Sequence, residues 1–383
     1  MRVYFDNAAT TPMHKEVIDA MSNAMVELFG NPSSIHGEGR KVRAALEDAR
    51  KRIAKHINAS IGEVFFTSGG TEANNMAIKC SVRDLGVKRI ISTPIEHHCG
   101  LHAFDSVVKH KGVEMVYLDI DEAGNIDLGQ LENYLQSGDK TTLVSLMHAN
   151  NEIGSMHDID AIGELCEQYR AYFHSDTVQT IGHFPIDVKK TKVHFISAGG
   201  HKFHGPKGAG FIYINSDVSI KPYIDGGAQE RNMRAGTENV YGIMGMAKAL
   251  DMACESLEEH IRHVREIRSY LKSRLEDSFP GVSFNGNQEE SFLYTVLSVS
   301  FPPSPKSDLL LLSLDIAGVS ASGGSACSSG ADAGSHVIAA LPGADPDRKT
   351  IRFSFSAMNT HADVDFLMEK LTAILEGVKV PVA

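Results

Sequence analysis

Four short stretches carry residue types whose spacing suits chemistry. Thr67-Ser68-Gly69-Gly70-Thr71-Glu72-Ala73-Asn74-Asn75 follows a strand-like run and opens a helical pattern. Small residues there let backbone amides and hydroxyls close on an anion, and a helix N-terminus adds partial positive charge. An ordinary capped strand–helix turn has the same composition. Tyr172-Phe173-His174-Ser175-Asp176 ends a strand on a carboxylate, with Gln179 three residues on. Asp176 suits a protonated heterocycle nitrogen, or simply caps a helix. In Gly199-Gly200-His201-Lys202-Phe203-His204-Gly205-Pro206-Lys207-Gly208 a lysine sits among glycines, flanked by histidine and followed by a rigid turn. Desolvation makes such a lysine a nucleophile or Schiff-base partner; the alternative is a solvated loop lysine. His201 and His204 have no carboxylate or thiol nearby in sequence to complete a metal set. Last, Ser325-Ala326-Cys327-Ser328-Ser329-Gly330 places a thiol among small polar residues. That context suits a reactive thiolate, since a free thiol with a pKa of about 8.5 needs only modest lowering. Cys80, Cys166 and Cys254 fall in helical patterns and read as small core residues.

A Schiff-base lysine, an aspartate for a pyridinium nitrogen and a glycine-rich phosphate turn together make the set that binds pyridoxal 5'-phosphate (PLP). Competing motifs are missing. The sequence has no P-loop, no Gly-x-Gly-x-x-Gly, no His-Glu-x-x-His and no Gly-x-Ser-x-Gly, so nucleotide, zincin and α/β-hydrolase chemistry are not indicated.

These residues need a scaffold. Strands are expected at Val64–Phe66, Arg89–Ser92, Val113–Leu118, Thr142–Met147, Tyr172–Ser175, Val193–Ser197 and Ala209–Ile214, each short, β-branched or aromatic and bounded by turn formers. Amphipathic segments alternate with them, as in Lys41–Ile57, where apolar residues recur every three or four positions. The pattern predicts an α/β protein: a large domain with a mostly parallel seven-stranded sheet wrapped by helices, binding its ligand at the strands' carboxyl ends. After residue 240 the texture changes. A long helix from Tyr241 to Ser278, strands at Tyr294–Phe301 and Ile351–Phe355, a helix at Leu309–Ile316 and a terminal helix from Asp363 predict a smaller α+β domain. The expected division is 14–255 for the large domain and 1–13 with 256–383 for the small one. The glycine-dense stretch of about 320–334 within the latter reads as a mobile loop.

At 383 residues the chain exceeds one ordinary domain, and 42% hydrophobic with 22% charged residues is a globular composition. A formal net charge of −11 leaves no basic excess for phosphate backbones, so no nucleic-acid partner is expected. Five cysteines without a Cys-x-x-Cys point to a reducing compartment rather than a disulfide framework. With no signal-like start and no long apolar run, the expectation is a cytoplasmic protein that does not touch a membrane.

Further motifs extend the pattern along the chain: Tyr4-Phe5-Asp6-Asn7-Ala8-Ala9-Thr10-Thr11-Pro12, Gly30-Asn31-Pro32-Ser33-Ser34-Ile35-His36, Glu96-His97, Met147-His148-Ala149-Asn150-Asn151-Glu152-Ile153-Gly154, Gln229-Glu230-Arg231, Arg234-Ala235-Gly236-Thr237 and Ile351-Arg352-Phe353-Ser354. In this order, and with the four stretches above, the sequence closely resembles the cysteine desulfurases of PLP fold type I, class-V aminotransferases. It resembles their nitrogen-fixation and iron–sulfur-assembly branch, which carries a long mobile cysteine loop. The resemblance runs nearly end to end. It implies that Lys202 bonds to the PLP aldehyde and then moves protons at the substrate Cα. It implies that His97 stacks on the ring, that Asp176 pairs with the ring nitrogen, and that Asn151 and Gln179 contact the ring hydroxyl region. Gly70, Thr71 and His201 are implied to bind the phosphate. Thr237 is implied to reach the phosphate of the other subunit, making a homodimer, while Arg352 with Asn151 holds the carboxylate of L-cysteine. Cys327 is implied to take the sulfur as a persulfide, leaving L-alanine, and to pass it to an acceptor or iron–sulfur scaffold protein. No metal is implied. Two readings stand beside this one: a selenocysteine lyase with the same cofactor chemistry, and a non-catalytic binding or regulatory homologue.

The sequence departs from the family pattern in three places. Gly199 stands where a serine usually contacts the phosphate, a loss of about 1 kcal/mol of cofactor binding if water does not replace it. Phe355-Ser356 replaces a usual Leu-Gly, with an expected change in the pocket floor. Cys99 puts a second thiol two residues past His97.

Overall fold

In the computed structural model residues 2–289, 291–324 and 334–376 are described. Cys327 and the 325–333 part of the expected loop lie outside the described residues. The strands, in chain order, are β1 (Val3–Tyr4), β2 (Val64–Thr67), β3 (Arg89–Ser92), β4 (Glu114–Tyr117), β5 (Thr142–Met147), β6 (Tyr172–Asp176), β7 (Phe195–Gly199), β8 (Gly210–Ile214), β9 (Ser283–Asn285), β10 (Val296–Phe301), β11 (Val319–Ser320) and β12 (Lys349–Ser354).

Seven of them form one sheet in the order β2-β8-β7-β6-β5-β3-β4, with β8 antiparallel to both neighbours and the other pairings parallel. This is the expected mostly parallel sheet. Every residue of β2, β3, β5, β7 and β8 is buried. Helices cover both faces of such a sheet, so its strands read as continuous apolar runs rather than alternating ones. Because β5, β6 and β7 run side by side in register, Met147 lies opposite Asp176 and Asp176 opposite Ser197. The segments leaving these strands therefore emerge together at one edge of the sheet. The segments after β2 and β3 emerge there too.

Of the helices, five matter below: α1 (Gly37–His56), α2 (Gly70–Asp84), α3 (His98–Lys111), α4 (Val240–Glu255) and α5 (Leu257–Ser278). The single long helix expected over Tyr241–Ser278 is in fact two, α4 and α5, joined at Ser256 (φ −105°, ψ 13°). Glu258 and Glu259 in the first turn of α5 favour a fresh helix start there. The break also divides two cores. Ile243, Met246, Ala247 and Leu250 of α4 pack into the cluster around the large sheet with Val42, Leu46 and Ile53 of α1. Val264, Ile267, Leu271 and Leu275 of α5 pack into a second cluster.

That second cluster surrounds the antiparallel sheet β12-β10-β9. The chain's beginning belongs to it: β1 pairs with β11, and Phe5 meets Phe353 and Phe355 edge-on, ring centroids 6.3 and 5.7 Å apart. Phe355 thus sits in the core against Phe5, 1% exposed, and does not reshape the pocket floor as its departure from the family pattern suggested. No helix among the described residues is long and apolar enough to cross a membrane.

Candidate active site

At the carboxyl edge of the large sheet lies a cavity of about 190 Å³. Its lining includes Gly70, Thr71, His97, Asn151, Asp176, Gln179, His201, Lys202 and Arg352, together with Ala8, Ala9, Asn74 and Cys99. The structure thus brings together nine of the sequence-predicted residues. Thr237 is not among them. It is exposed and borders a separate cleft with Ser68, Gly208 and Arg234. Cys327 lies outside the described residues.

Each wall follows from local structure. Strand β2 ends at Thr67, and Gly69, in a backbone conformation that side chains avoid (φ +151°), turns the chain into α2. No side chain caps α2, so its first amides, at Gly70 and Thr71, face the cavity as an anion cradle. Gly199, where the family pattern carries serine, borders the same cradle. A Cβ built on it would lie 3.5 Å from the Gly70 nitrogen and 3.8 Å from His201 Nε2, in ordinary contact. A side chain at this position would therefore fit beside the Gly70 amide without a clash.

Lys202 closes a short turn after β7, Gly200–Lys202. Its Nζ donates to the carbonyls of Ala8 (2.7 Å) and Ala9 (2.9 Å). The strap that supplies them is anchored in turn, since Thr11 donates from its amide (2.9 Å) and hydroxyl (3.0 Å) to the His201 carbonyl. Gln179 Nε2 also donates to the Ala8 carbonyl, at 3.1 Å. The lysine is aimed by backbone carbonyls of a segment almost two hundred residues earlier.

Asp176 ends β6 and accepts from Asn74 Nδ2 (2.5 Å) and the Val178 amide (3.0 Å). Burial outweighs these bonds and the nearby Lys202 charge and raises its pKa. A carboxylate held this way gains from a cation placed beside it. Burial, with Lys202 and neighbouring histidines adding repulsion, lowers His97 to about 4, so its ring is neutral at physiological pH. His201 falls to about 4 through burial first and Lys202 second, and its Nδ1 lies 3.3 Å from Thr10 Oγ1.

Arg352 comes from β12 in the second sheet, 1% exposed. Its guanidinium donates to the Asn151 carbonyl (2.8 Å) and to Asp6 Oδ1 (2.7 Å). Asp6 Oδ1 also accepts from the Ser322 hydroxyl at 2.8 Å.

Sequence reasoning gave no role to Asp6, Asn74 or Glu96, although all three stood in quoted motifs. Glu96 accepts from the Met147 amide (3.0 Å to each oxygen) and the Thr93 hydroxyl (3.1 Å), and burial raises its pKa to about 8. A polar residue inside a short motif but away from its obvious chemistry was the available signal.

The donor set fits PLP. An amine is tethered in the cavity, a buried carboxylate lacks a cationic partner strong enough to hold its pKa down, and an uncapped helix start with glycines offers room for phosphate. The cradle, amine and carboxylate lie at the ends of β2, β7 and β6, so the sheet sets their spacing. Among the described residues no group of three or more His, Cys, Asp or Glu is arranged for a metal ion.

Comparison with known proteins agrees with this geometry. The family model "Aminotransferase class-V" matches residues 3–367. The chain is 42% identical over 368 residues to the putative cysteine desulfurase IscS 1 of Bacillus subtilis, covering 95% of this chain and 96% of that protein. It is 43% identical over 382 residues to the cysteine desulfurase IscS of Methanosarcina thermophila, covering 98% and 93%. Among solved structures, a NifS-like protein superposes with a TM-score of 0.90 at 36% identity, covering 99% of this chain and 100% of that one. SspA in complex with cysteine superposes with a TM-score of 0.80 at 28% identity, covering 94% and 100%. On the sequence match and the fold together, the chain belongs to the class-V aminotransferase family.

Proposed function

We propose that this chain is a PLP-dependent cysteine desulfurase that converts L-cysteine to L-alanine and receives the sulfur on Cys327. One observation carries the reading: Lys202, Asp176 and Arg352 line a single cavity whose far end is a helix start open to phosphate. The full-length identity to cysteine desulfurases supports the choice of substrate.

When bound, PLP supplies an aldehyde for amine condensation and a ring that draws electrons from the attached amino acid's Cα. The chain's own residues do the rest. Lys202 Nζ, aimed by the Ala8 and Ala9 carbonyls, holds the cofactor and then moves a proton at the substrate Cα. Asp176 would keep a proton on the ring nitrogen. His97, neutral at working pH, would hold the ring without adding charge. Gly70, Thr71 and His201 would bind the phosphate, and Asn151 and Gln179 would hold the ring hydroxyl. Arg352 orients the substrate carboxylate with a planar fork that lysine cannot copy. The Cys327 thiolate attacks the substrate sulfur: one S–S bond forms, one C–S bond breaks, and the carbon takes up a proton to leave alanine.

The persulfide serves an acceptor such as an iron–sulfur scaffold protein, in the cytoplasm. Thr237, exposed and outside its own chain's cavity, suits a role across a homodimer interface. We take residues 14–255 as the cofactor domain, and 1–13 with 256–383 as the domain carrying Arg352 and Cys327.

The test is a mass spectrum after treating the PLP-loaded protein with L-cysteine. One added sulfur atom mapped to Cys327, with borohydride fixing the cofactor on Lys202, is the expected result. Sulfur transfer unchanged in Cys327→Ala, or cofactor trapped on another side chain, overturns the reading.

A further inference from the structure

From the cavity wall inward runs a chain of polar side chains of which the mechanism above uses only Asp176 and His97. Ser145 Oγ lies 2.8 Å from His174 Nδ1, and His174 Nε2 lies 3.1 Å from both Asn74 Oδ1 and Ser197 Oγ. Asn74 Nδ2 then reaches Asp176 Oδ2 (2.5 Å) and Cys99 Sγ (3.2 Å). Cys99 Sγ lies 3.0 Å from His97 Nδ1, which also accepts from the Cys99 amide at 3.1 Å. Ser145, His174, Asn74 and Ser197 are all between 0% and 2% exposed, so water does not compete for these bonds.

Proton positions follow from the partners. A flipped Asn74 amide would set its carbonyl oxygen against the Asp176 carboxylate, so Nδ2 faces Asp176 and Oδ1 faces His174. Since Oδ1 only accepts, His174 carries its proton on Nε2, and its Nδ1 accepts from the Ser145 hydroxyl. Burial lowers His174 to about 3, so the ring stays neutral. At the other end, His97 Nδ1 is occupied as an acceptor, so the Cys99 S–H points to it while the sulfur accepts from Asn74. Burial, with Asp176 second, raises the Cys99 thiol to about 12, which keeps that hydrogen in place.

We propose that Asn74 is a positioning residue of this site. One amide hydrogen fixes the Asp176 carboxylate, the other fixes the His97 ring through the Cys99 thiol, and His174 with Ser145 locks the amide's orientation. Cys99 is then a hydrogen-bonding spacer and not a second sulfur carrier. The inference rests on PLP occupying the cavity. Without Asn74 the Asp176 carboxylate keeps only the Val178 amide as donor and its Oδ2 is no longer fixed, so the ring nitrogen is held less firmly in its protonated form. A ring that withdraws fewer electrons leaves the Lys202-bound nitrogen more basic.

The experiment is a pH titration of the visible absorbance band of PLP-loaded protein, alongside PLP dissociation measured by dialysis and a far-UV spectrum as a fold check. In Asn74→Ala the titration midpoint should rise by about one pH unit, a tenfold change in proton affinity, and PLP should bind about tenfold more weakly. Cys99→Ala should move the midpoint the same way by less, and Cys99→Ser, which keeps a donor and an acceptor, should restore it. A merely structural role would lower the melting temperature and leave the midpoint in place. A wild-type midpoint in Asn74→Ala overturns the proposal. If that variant does not fold, a wild-type midpoint in Cys99→Ala overturns it. Should the wild-type protein form no lysine-bound band with PLP, the cofactor reading itself fails, which is a distinct outcome.

Discussion

Asp176 and Arg352 line the same cavity, yet the chain brings each there by a different route and neutralises it by different means. Asp176 ends a strand in the middle of the large parallel sheet, and its side-chain oxygens take a neutral amide and a backbone N–H. Arg352 sits on a strand of the other sheet and meets a full negative charge, Asp6, 346 positions earlier, plus the Asn151 carbonyl. These dipoles and the more distant Lys202 charge do not offset the burial of Asp176, and its pKa rises. The carboxylate is incomplete until a cation arrives, which suits a protonated ring nitrogen. The guanidinium is already paired, so a substrate carboxylate shares it with Asp6. One wall waits for its partner; the other must divide its attention.

The contrast can be broken in order of effect. Asp176→Asn keeps the shape and removes the charge, and kcat for desulfuration should fall about 10²–10³-fold, the scale of removing one preorganised electrostatic group. A loss under tenfold would mean the ring nitrogen needs no anion. Arg352→Ala should lower kcat/KM for L-cysteine about 10²-fold, chiefly through KM, as expected for a charge-assisted pair. An unchanged KM would place the substrate carboxylate elsewhere. Asp6→Asn retains an oxygen that accepts from Arg352 and Ser322 but ends the competition for the guanidinium. KM should fall about threefold, within the range of one partly exposed charge; a rise would show that Asp6 serves only to orient Arg352.

The smallest effect concerns Glu96, whose folded pKa of about 8 stands above an ordinary value of 4.5 because it is buried. The folded chain holds that proton more tightly than the unfolded chain. The associated stability is complete below about pH 4.5 and is lost as pH rises through about 8. Glu96→Gln stays neutral throughout, so PLP-free protein should melt a few degrees higher than wild type at pH 9 and equally at pH 4. Equal melting at both values would mean that Glu96 ionises at no cost.

Legibility in the sequence followed the range of the interactions. Most of the seven strands were readable because burial on both faces leaves apolar runs, and β3 and β5 fall where the runs placed them, while β4 at the sheet edge is only partly buried. Lys202, Asp176 and the Gly70 turn were readable because each motif carries its own local chemistry. The break at Ser256 was not, since one residue between two helical periods hardly disturbs the repeat. Nor was Asn74 legible as a junction. Its partners Asp176 and His174 lie 102 and 100 positions away, and only the packing of helix α2 against strand β6 brings them within hydrogen-bonding distance.

Residue types and their neighbours along the chain therefore determined the fold class and the cofactor and picked out Lys202 as a candidate, because backbone propensity, apolar burial and functional-group chemistry act over a few residues. Tertiary structure alone decided which carbonyls aim Lys202, which acid shares Arg352 and which amide holds Asp176. Those choices depend on how segments from remote parts of the chain pack against one another, and a hydrogen bond is lost within about an ångström of its proper length.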